Sequence, residues 1–77
     1  MRENRLPDAI AQFEEVLRRK PGFAEIHASL GDAWYLAGRV PEAISQYEEA
    51  LRLKPGDLRT LSHLETARRA RRGESPR

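Results

Sequence analysis

The sequence predicts an all-α fold of about four helices, and three observations point to this class. Residues 4–23 and 38–57 are the same segment repeated at an offset of 34 residues, with twelve of twenty positions identical. Apolar residues within each copy recur every three or four positions, which is the spacing of one helix face. Proline and glycine stand at the same points in both copies and mark helix starts and ends. A period of 34 residues is too long for a coiled coil and is typical of stacked two-helix units.

The first helix is predicted over residues 7–20. Pro7 occupies the first turn, where its missing N–H costs nothing, and Asp8 faces the positive end of the helix dipole. Pro21 and Gly22 end the helix. Its apolar residues form one stripe that predicts a packing face: Ala9, Ile10, Phe13, Val16 and Leu17.

The second helix is predicted over residues 24–37, and Gly38 ends it. Gly31 lies in its middle, where glycine costs about 1 kcal/mol relative to alanine, so we expect another helix to approach closely there. Its predicted core face consists of Ile26, Leu30, Ala33, Trp34 and Ala37.

The third and fourth helices are predicted over residues 41–54 and 58–72. The third repeats the first, with Pro41 at its start and Pro55 after its end. The fourth has an apolar stripe of Leu58, Leu61, Leu64 and Ala67. It then runs into the arginine-rich residues 68–72.

Length and composition limit the protein to one small domain. The 77 residues are 39% hydrophobic and 34% charged, which is too apolar for a disordered chain. There is no cysteine for disulfides or thiolate metal sites, and no run of about 18 apolar residues to cross a membrane. A domain of this size buries only about 60% of its unfolded surface, which leaves little core for a deep catalytic pocket. We therefore expect a binding or structural module that is not an enzyme.

The spacing of eight residues resembles the tetratricopeptide repeat family: Leu30, Gly31, Trp34, Gly38, Ala43, Tyr47, Ala50 and Pro55. The resemblance covers one complete repeat, with a half repeat before it and a helix similar to a terminal cap after it. It implies antiparallel helix pairs stacked into a right-handed superhelix whose concave face binds peptides or partner proteins. On this pattern residues 1–72 form one domain, divided into 4–23, 24–57 and 58–72, and residues 73–77 form a flexible tail.

The fourth helix departs from the family pattern. Glu65 and Arg68 stand where the complete repeat has Gly31 and Trp34. Without the glycine a further helix cannot approach closely, so we expect this helix to act as a cap with a leucine-rich inner face and a charged outer face.

The resemblance also places a candidate partner groove on the concave face. Its positions are Glu25, Ala28, Asp32, Tyr35, Leu36, Arg59, Ser62, Thr66 and Arg69. Family members that grip a C-terminal carboxylate have Lys and Asn where this chain has Ala28 and Asp32, so a carboxylate clamp is not expected. Acidic residues on one wall and arginines on the other fit a mixed-charge peptide, although all of them also fit an ordinary solvated surface.

Catalytic and metal-binding signatures are not found in the sequence. His27 and His63 have no carboxylate or histidine three or four residues later, so a structural or surface role is favoured for both. We expect no cofactor and no metal. Most aromatic residues lie on apolar stripes and indicate core packing, whereas Tyr35 is the one expected on the surface.

The charge is unevenly distributed. Residues 1–57 hold eight basic and ten acidic side chains, whereas residues 58–77 hold six arginines and two glutamates. The arginine-rich end could contact phosphates, but without interleaved aromatic residues nucleic acid is not the expected partner.

The favoured function is a non-catalytic protein–protein interaction module that presents a groove or an apolar helix face to a partner. One alternative is a homo-oligomerising scaffold, or part of a larger array, that associates through a bare stripe on the first helix at Ile10, Phe13 and Leu17. The other is a nucleic-acid or acidic-surface adaptor that uses the arginine-rich end. The N-terminal residues do not form the apolar stretch of a signal peptide, so the default expectation is a cytoplasmic location away from membranes.

Overall fold

A computed structural model describes residues 5–73 as four α-helices joined by short turns. The helices are α1 (Leu6–Arg19), α2 (Ala24–Leu36), α3 (Val40–Leu53) and α4 (Leu58–Arg71). The predicted all-α class is confirmed, and each helix end lies at the predicted residue or one residue before it. The predicted tail, apart from Gly73, lies outside the described residues.

Proline, glycine and one carboxylate account for the helix ends. Pro7 and Pro41 are the second residues of α1 and α3. Gly38 has a φ of +83°, a conformation that other residues rarely adopt, and ends α2. The Asp57 carboxylate accepts hydrogen bonds from the backbone N–H and the hydroxyl of Thr60, at 3.4 and 2.7 Å, and so caps α4.

The helices pack against one another in chain order. α2 contacts α3 most extensively, α3 also packs against α4, and α1 packs against α2 alone among the described helices. One core cluster consists of Ala43, Ile44, Tyr47, Leu64 and Ala67, and a second of Ile10, Leu30 and Ala33. Trp34 contacts both clusters and joins them. Ala37, assigned to the core face by the sequence, lies beyond the end of α2 and is exposed.

Gly31 lies where α2 and α3 come closest. A Cβ atom at this position would lie 2.6 Å from Cε1 and 2.8 Å from Cδ1 of Tyr47, closer than two carbon atoms can pack. The Tyr47 ring therefore occupies the space that any larger residue would need. The predicted close approach of a second helix at Gly31 is confirmed.

The buried face of α4 differs from the predicted leucine stripe. Thr60, Leu64 and Ala67 are buried, whereas Leu58 is 76% exposed and Leu61 is 44% exposed. The expectation of a leucine-rich inner face is therefore wrong for Leu58 and Leu61.

The repeat explains this exposure. Leu58 and Leu61 hold the places in α4 that Ala24 and His27 hold in α2, 34 residues earlier. In α2 these places face neighbouring structure, and His27 Nδ1 lies 2.8 Å from Oε1 of Gln46 on α3. Among the described helices none follows α4 to cover the equivalent positions.

The predicted bare stripe of α1 is largely covered by α2. Ile10 is only 9% exposed, and Phe13 and Leu17 are half-buried against the same cluster. The expectation of an open face is therefore wrong at Ile10. Val16 is the large apolar residue of α1 that remains exposed, at 36%.

None of the helices described over residues 5–73 is long and apolar enough to cross a membrane.

Gly31→Ala should destabilise the protein, although replacing glycine by alanine inside a helix ordinarily stabilises it by about 1 kcal/mol. The added methyl group meets the rigid Tyr47 ring, and such overpacking costs about 1–3 kcal/mol. Urea unfolding followed by circular dichroism measures the difference.

Gly22→Ala is the matched control, because nothing lies within 4 Å of its Cβ position. The free energy of unfolding of this variant should lie within about 0.5 kcal/mol of the parental value or above it. A Gly31→Ala protein as stable as the Gly22→Ala protein would contradict the packing argument.

Candidate partner-binding groove

A groove runs between α2 and α4, which both pack against α3 but meet each other at only a few points. Two adjoining pockets form this groove, and both are lined by Asp32 and His63. Asp32 comes from the middle of α2 and His63 from the middle of α4. The shared side chains make the two pockets parts of one surface.

The larger pocket has a volume of about 310 Å³ and a mainly apolar lining. Besides the two shared residues, Tyr35, Leu36, Tyr47 and Thr66 line it. Leu36 is 71% exposed, which leaves most of a large apolar side chain open to solvent at the rim. The pocket has room for one large apolar side chain of a ligand.

The smaller pocket has a volume of about 110 Å³ and is charged. From α2 it takes Glu25, Ala28 and Ser29, and from the start of α4 it takes Asp57, Arg59 and Thr60. Among the described residues that line it, three carboxylates, counting Asp32, face one guanidinium, and these four groups carry a net charge of −2.

The structure brings most of the predicted groove residues together. Those that line one of the two pockets are Glu25, Ala28, Asp32, Tyr35, Leu36, Arg59 and Thr66. Ser62 and Arg69 are exposed on α4 but line neither pocket.

Asp32 is held by two neighbours across the groove floor. The Tyr47 hydroxyl donates to Oδ1 at 2.5 Å, and Nδ1 of His63 lies 3.0 Å from the same oxygen. The Tyr47 and His63 rings meet edge to face with their centroids 5.8 Å apart. Among residues 5–73 no donor lies within hydrogen-bond distance of Asp32 Oδ2, and the side chain is 44% exposed. The second oxygen therefore remains available to a ligand.

The environment of Tyr47 favours its protonated form. Burial and then the hydrogen bond to Asp32 raise the pKa of the Tyr47 hydroxyl far above its ordinary value of 10.0. The hydroxyl therefore remains a hydrogen-bond donor to Asp32 under neutral and mildly alkaline conditions.

His63 and Tyr47 are groove residues that the sequence analysis did not assign to it. His63 lies four residues after Arg59 and three before Thr66, so helical spacing places it on the same face as these two. Tyr47 was assigned to the core, which is correct for its ring. Phe13 is the equivalent residue of the first copy and has no hydroxyl. The hydroxyl of Tyr47 is therefore the feature of the sequence that could have indicated a role beyond core packing.

Two other side chains lie where the sequence analysis did not place them. Tyr35, expected on the surface, is half-buried against the core cluster of α3 and α4. Phe23, in the turn before α2, is 44% exposed, and the Lys20 ammonium lies 6.0 Å from its ring centre.

The arginine-rich end of α4 is not a uniform basic strip. Arg68 donates to Glu48 of α3 at 3.3 Å and so ties the two helices together. An arginine already paired with a carboxylate has less to offer a phosphate. Within residues 5–73 no three His, Asp or Glu side chains are arranged to hold a metal ion.

Tyr47→Phe should lower the free energy of unfolding by about 1–2 kcal/mol at pH 7, because it removes the hydrogen bond to a carboxylate. This deficit should shrink above pH 10. There the unfolded parent ionises its tyrosine while the folded parent, with the raised Tyr47 pKa, keeps the proton, so parental stability falls by up to about 1.4 kcal/mol per pH unit. Urea unfolding of both proteins at pH 7–11 measures the difference.

Tyr35→Phe serves as the control, because it removes a hydroxyl from the same groove that does not bond Asp32. Its effect at pH 7 should be less than half that of Tyr47→Phe. A Tyr47→Phe deficit that stays constant from pH 8 to pH 11 would contradict the assigned environment of the hydroxyl.

The sequence matches the model of one protein family, the tetratricopeptide repeat, over residues 1–57. The match includes α1, α2 and α3 and ends at Asp57, the residue that caps α4. No curated protein matches the chain. Repeats of this family generally mediate protein–protein interactions. The match spans most of the sequence and agrees with the four-helix architecture, so the protein belongs to the tetratricopeptide repeat family.

Proposed function

We propose that the protein is a non-catalytic interaction module that binds a peptide segment of a partner protein in the groove between α2 and α4. The observation that carries this proposal is the larger pocket, whose apolar lining stays open to solvent. Apolar surface in a concave site gains free energy when a ligand covers it, about 25 cal/mol for each Å² removed from water.

Preorganisation of the groove floor supports the same proposal. Tyr47 and His63 hold Asp32 from α3 and α4, so three helices fix the position of one polar group. A side chain already held in place loses less conformational entropy when a ligand binds it.

Leu36→Ala tests the groove. Random dodecapeptides displayed on phage should include clones that enrich on the immobilised parent protein. Synthetic copies of these clones should bind the Leu36→Ala protein about fivefold more weakly, because truncation removes roughly 1 kcal/mol of apolar contact. Fluorescence anisotropy measures the affinities.

Leu58→Ala is the matched control. Leu36 and Leu58 are both mostly exposed, at 71% and 76%, but Leu36 lines the larger groove pocket and Leu58 lines neither of the two groove pockets. The control should bind as the parent does, and both variants should unfold at the parental urea concentration. If no clone enriches on the parent protein, or if the peptides bind the Leu36→Ala and Leu58→Ala proteins equally well, the groove proposal is overturned.

Self-association through α1 is a second candidate function, favoured by a comparison of the two repeat copies. On α3 the residue Ala50 is 1% exposed because it lies between neighbouring helices. Its counterpart on α1 is Val16, which is 36% exposed, and Phe13 beside it is half-buried. We propose a second copy of the chain as the occupant of this strip, with α1 packing against α1.

Glu65 argues against head-to-tail pairing of α4 with the α1 of another copy. It stands where α2 has Gly31, so Phe13 could not pack on α4 as Tyr47 packs on α2.

Val16→Asp should therefore shift the protein toward the monomer in light scattering over a concentration series. Ala11→Asp is the control, since Ala11 is exposed on another side of α1. A parent that is monomeric at every concentration would exclude this second function.

A further inference from the structure

The two pockets together define the kind of peptide that fits the groove, an inference that rests on the proposed function. The larger pocket accepts an apolar side chain, and the smaller one offers carboxylates. Because Asp32 lies on the boundary between the two pockets, the two features fall within the reach of neighbouring residues in an extended peptide, about 3.3–3.6 Å per residue.

The three carboxylates of the smaller pocket differ in the contacts that they already make with the protein. Asp57 is committed to capping α4 through Thr60, whose hydroxyl hydrogen bond lowers the pKa of that carboxyl. Glu25 is 76% exposed, and its ion pair within residues 5–73 is a long one, with Lys54 at 4.0 Å. Asp32 accepts from Tyr47 and contacts His63 through Oδ1, and no donor among residues 5–73 lies within hydrogen-bond distance of Oδ2. Glu25 and Asp32 are therefore the acceptors that remain for a cation.

An acidic peptide group fits this surface less well. Among residues 5–73, Arg59 is the one permanent cation that lines the smaller pocket, and the three carboxylates that line it too would repel a second anion. Ala28, at the centre of the α2 face, has no side-chain donor to offer a carboxylate.

We propose that the groove selects peptide segments in which a lysine or arginine lies within one residue of a large apolar side chain. The apolar side chain enters the pocket beside Tyr35 and Leu36, and the cation contacts Glu25 and Asp32 Oδ2. Charge complementarity sets the preference for the cation, and the apolar contact supplies most of the affinity.

The test uses the phage-displayed dodecapeptides and synthetic copies of the enriched clones. Enriched clones should carry Lys or Arg beside Leu, Ile, Met or Phe in excess over the unselected library. Replacing that cation by Glu in the synthetic peptide should weaken binding about tenfold in 50 mM salt. The difference should narrow to about threefold in 500 mM salt, because screening weakens exposed ion pairs.

Two variants of the protein test whether Asp32 and Glu25 cause the preference for a peptide with Lys over one with Glu. Asp32→Asn keeps the shape of the side chain and an oxygen for Tyr47, and Glu25→Gln changes an exposed residue. Each should reduce the Lys-over-Glu preference about threefold with little change in stability. Glu14→Gln, an exposed residue on α1 that lines neither pocket, should leave the preference unchanged.

The results separate this inference from the proposed function. Clones that need Leu36 but carry Asp, Glu or a C-terminal carboxylate in place of the cation would overturn the peptide class and leave groove binding intact. A Lys-over-Glu preference that both carboxylate variants retain would overturn the assigned contacts. Clones that bind equally without Leu36 would overturn both proposals.

Discussion

The close contact between Gly31 and Tyr47 determines both the packing of the helices and the shape of the groove. Because α2 has no side chain at this point, the Tyr47 ring lies against its backbone and joins α2 to α3. The ring is rigid, so its hydroxyl reaches Asp32, the next residue of α2, at 2.5 Å. α4 then adds His63 to the same carboxylate oxygen. A packing constraint in the core thus fixes the polar group at the centre of the groove.

Absence of this contact explains why α4 behaves differently from α2, although the two are equivalent in the repeat. Glu65 replaces the glycine, so no tyrosine could lie against the α4 backbone in the same way. Arg68, the counterpart of Trp34, pairs with Glu48 on α3 where Trp34 joins two apolar clusters. These charged residues make the outer side of α4 compatible with water. Leu58 and Leu61 nevertheless remain exposed apolar residues of α4.

The parts of the fold that local chemistry determines were predictable from the sequence. Pro7, Pro41 and Gly38 act within one turn of the chain, and they place the helix ends to within a residue. The close approach of another helix at Gly31 was predictable, because a glycine inside a helix lowers stability unless another contact offsets that loss. The exposure of Leu58 and the burial of Ile10 were not predictable, because periodicity shows which residues share a face but not which neighbour covers it. His63 was missed for a related reason: its role depends on Asp32 and Tyr47, which lie 31 and 16 residues away in the sequence.

The negative charge of Asp32 is not required by its structural contacts. An asparagine at this position could accept the Tyr47 hydrogen bond through its own Oδ1 and keep the same shape. Because the side chain is about half exposed, water screens its charge, so the charge itself adds little to the hydrogen bond that Tyr47 already makes. The fold therefore explains why residue 32 is polar and where it points, but not why it is charged. On the proposed function, the charge acts on the ligand through the oxygen that Tyr47 and His63 leave open, which is where a cation of a bound peptide would contact the groove.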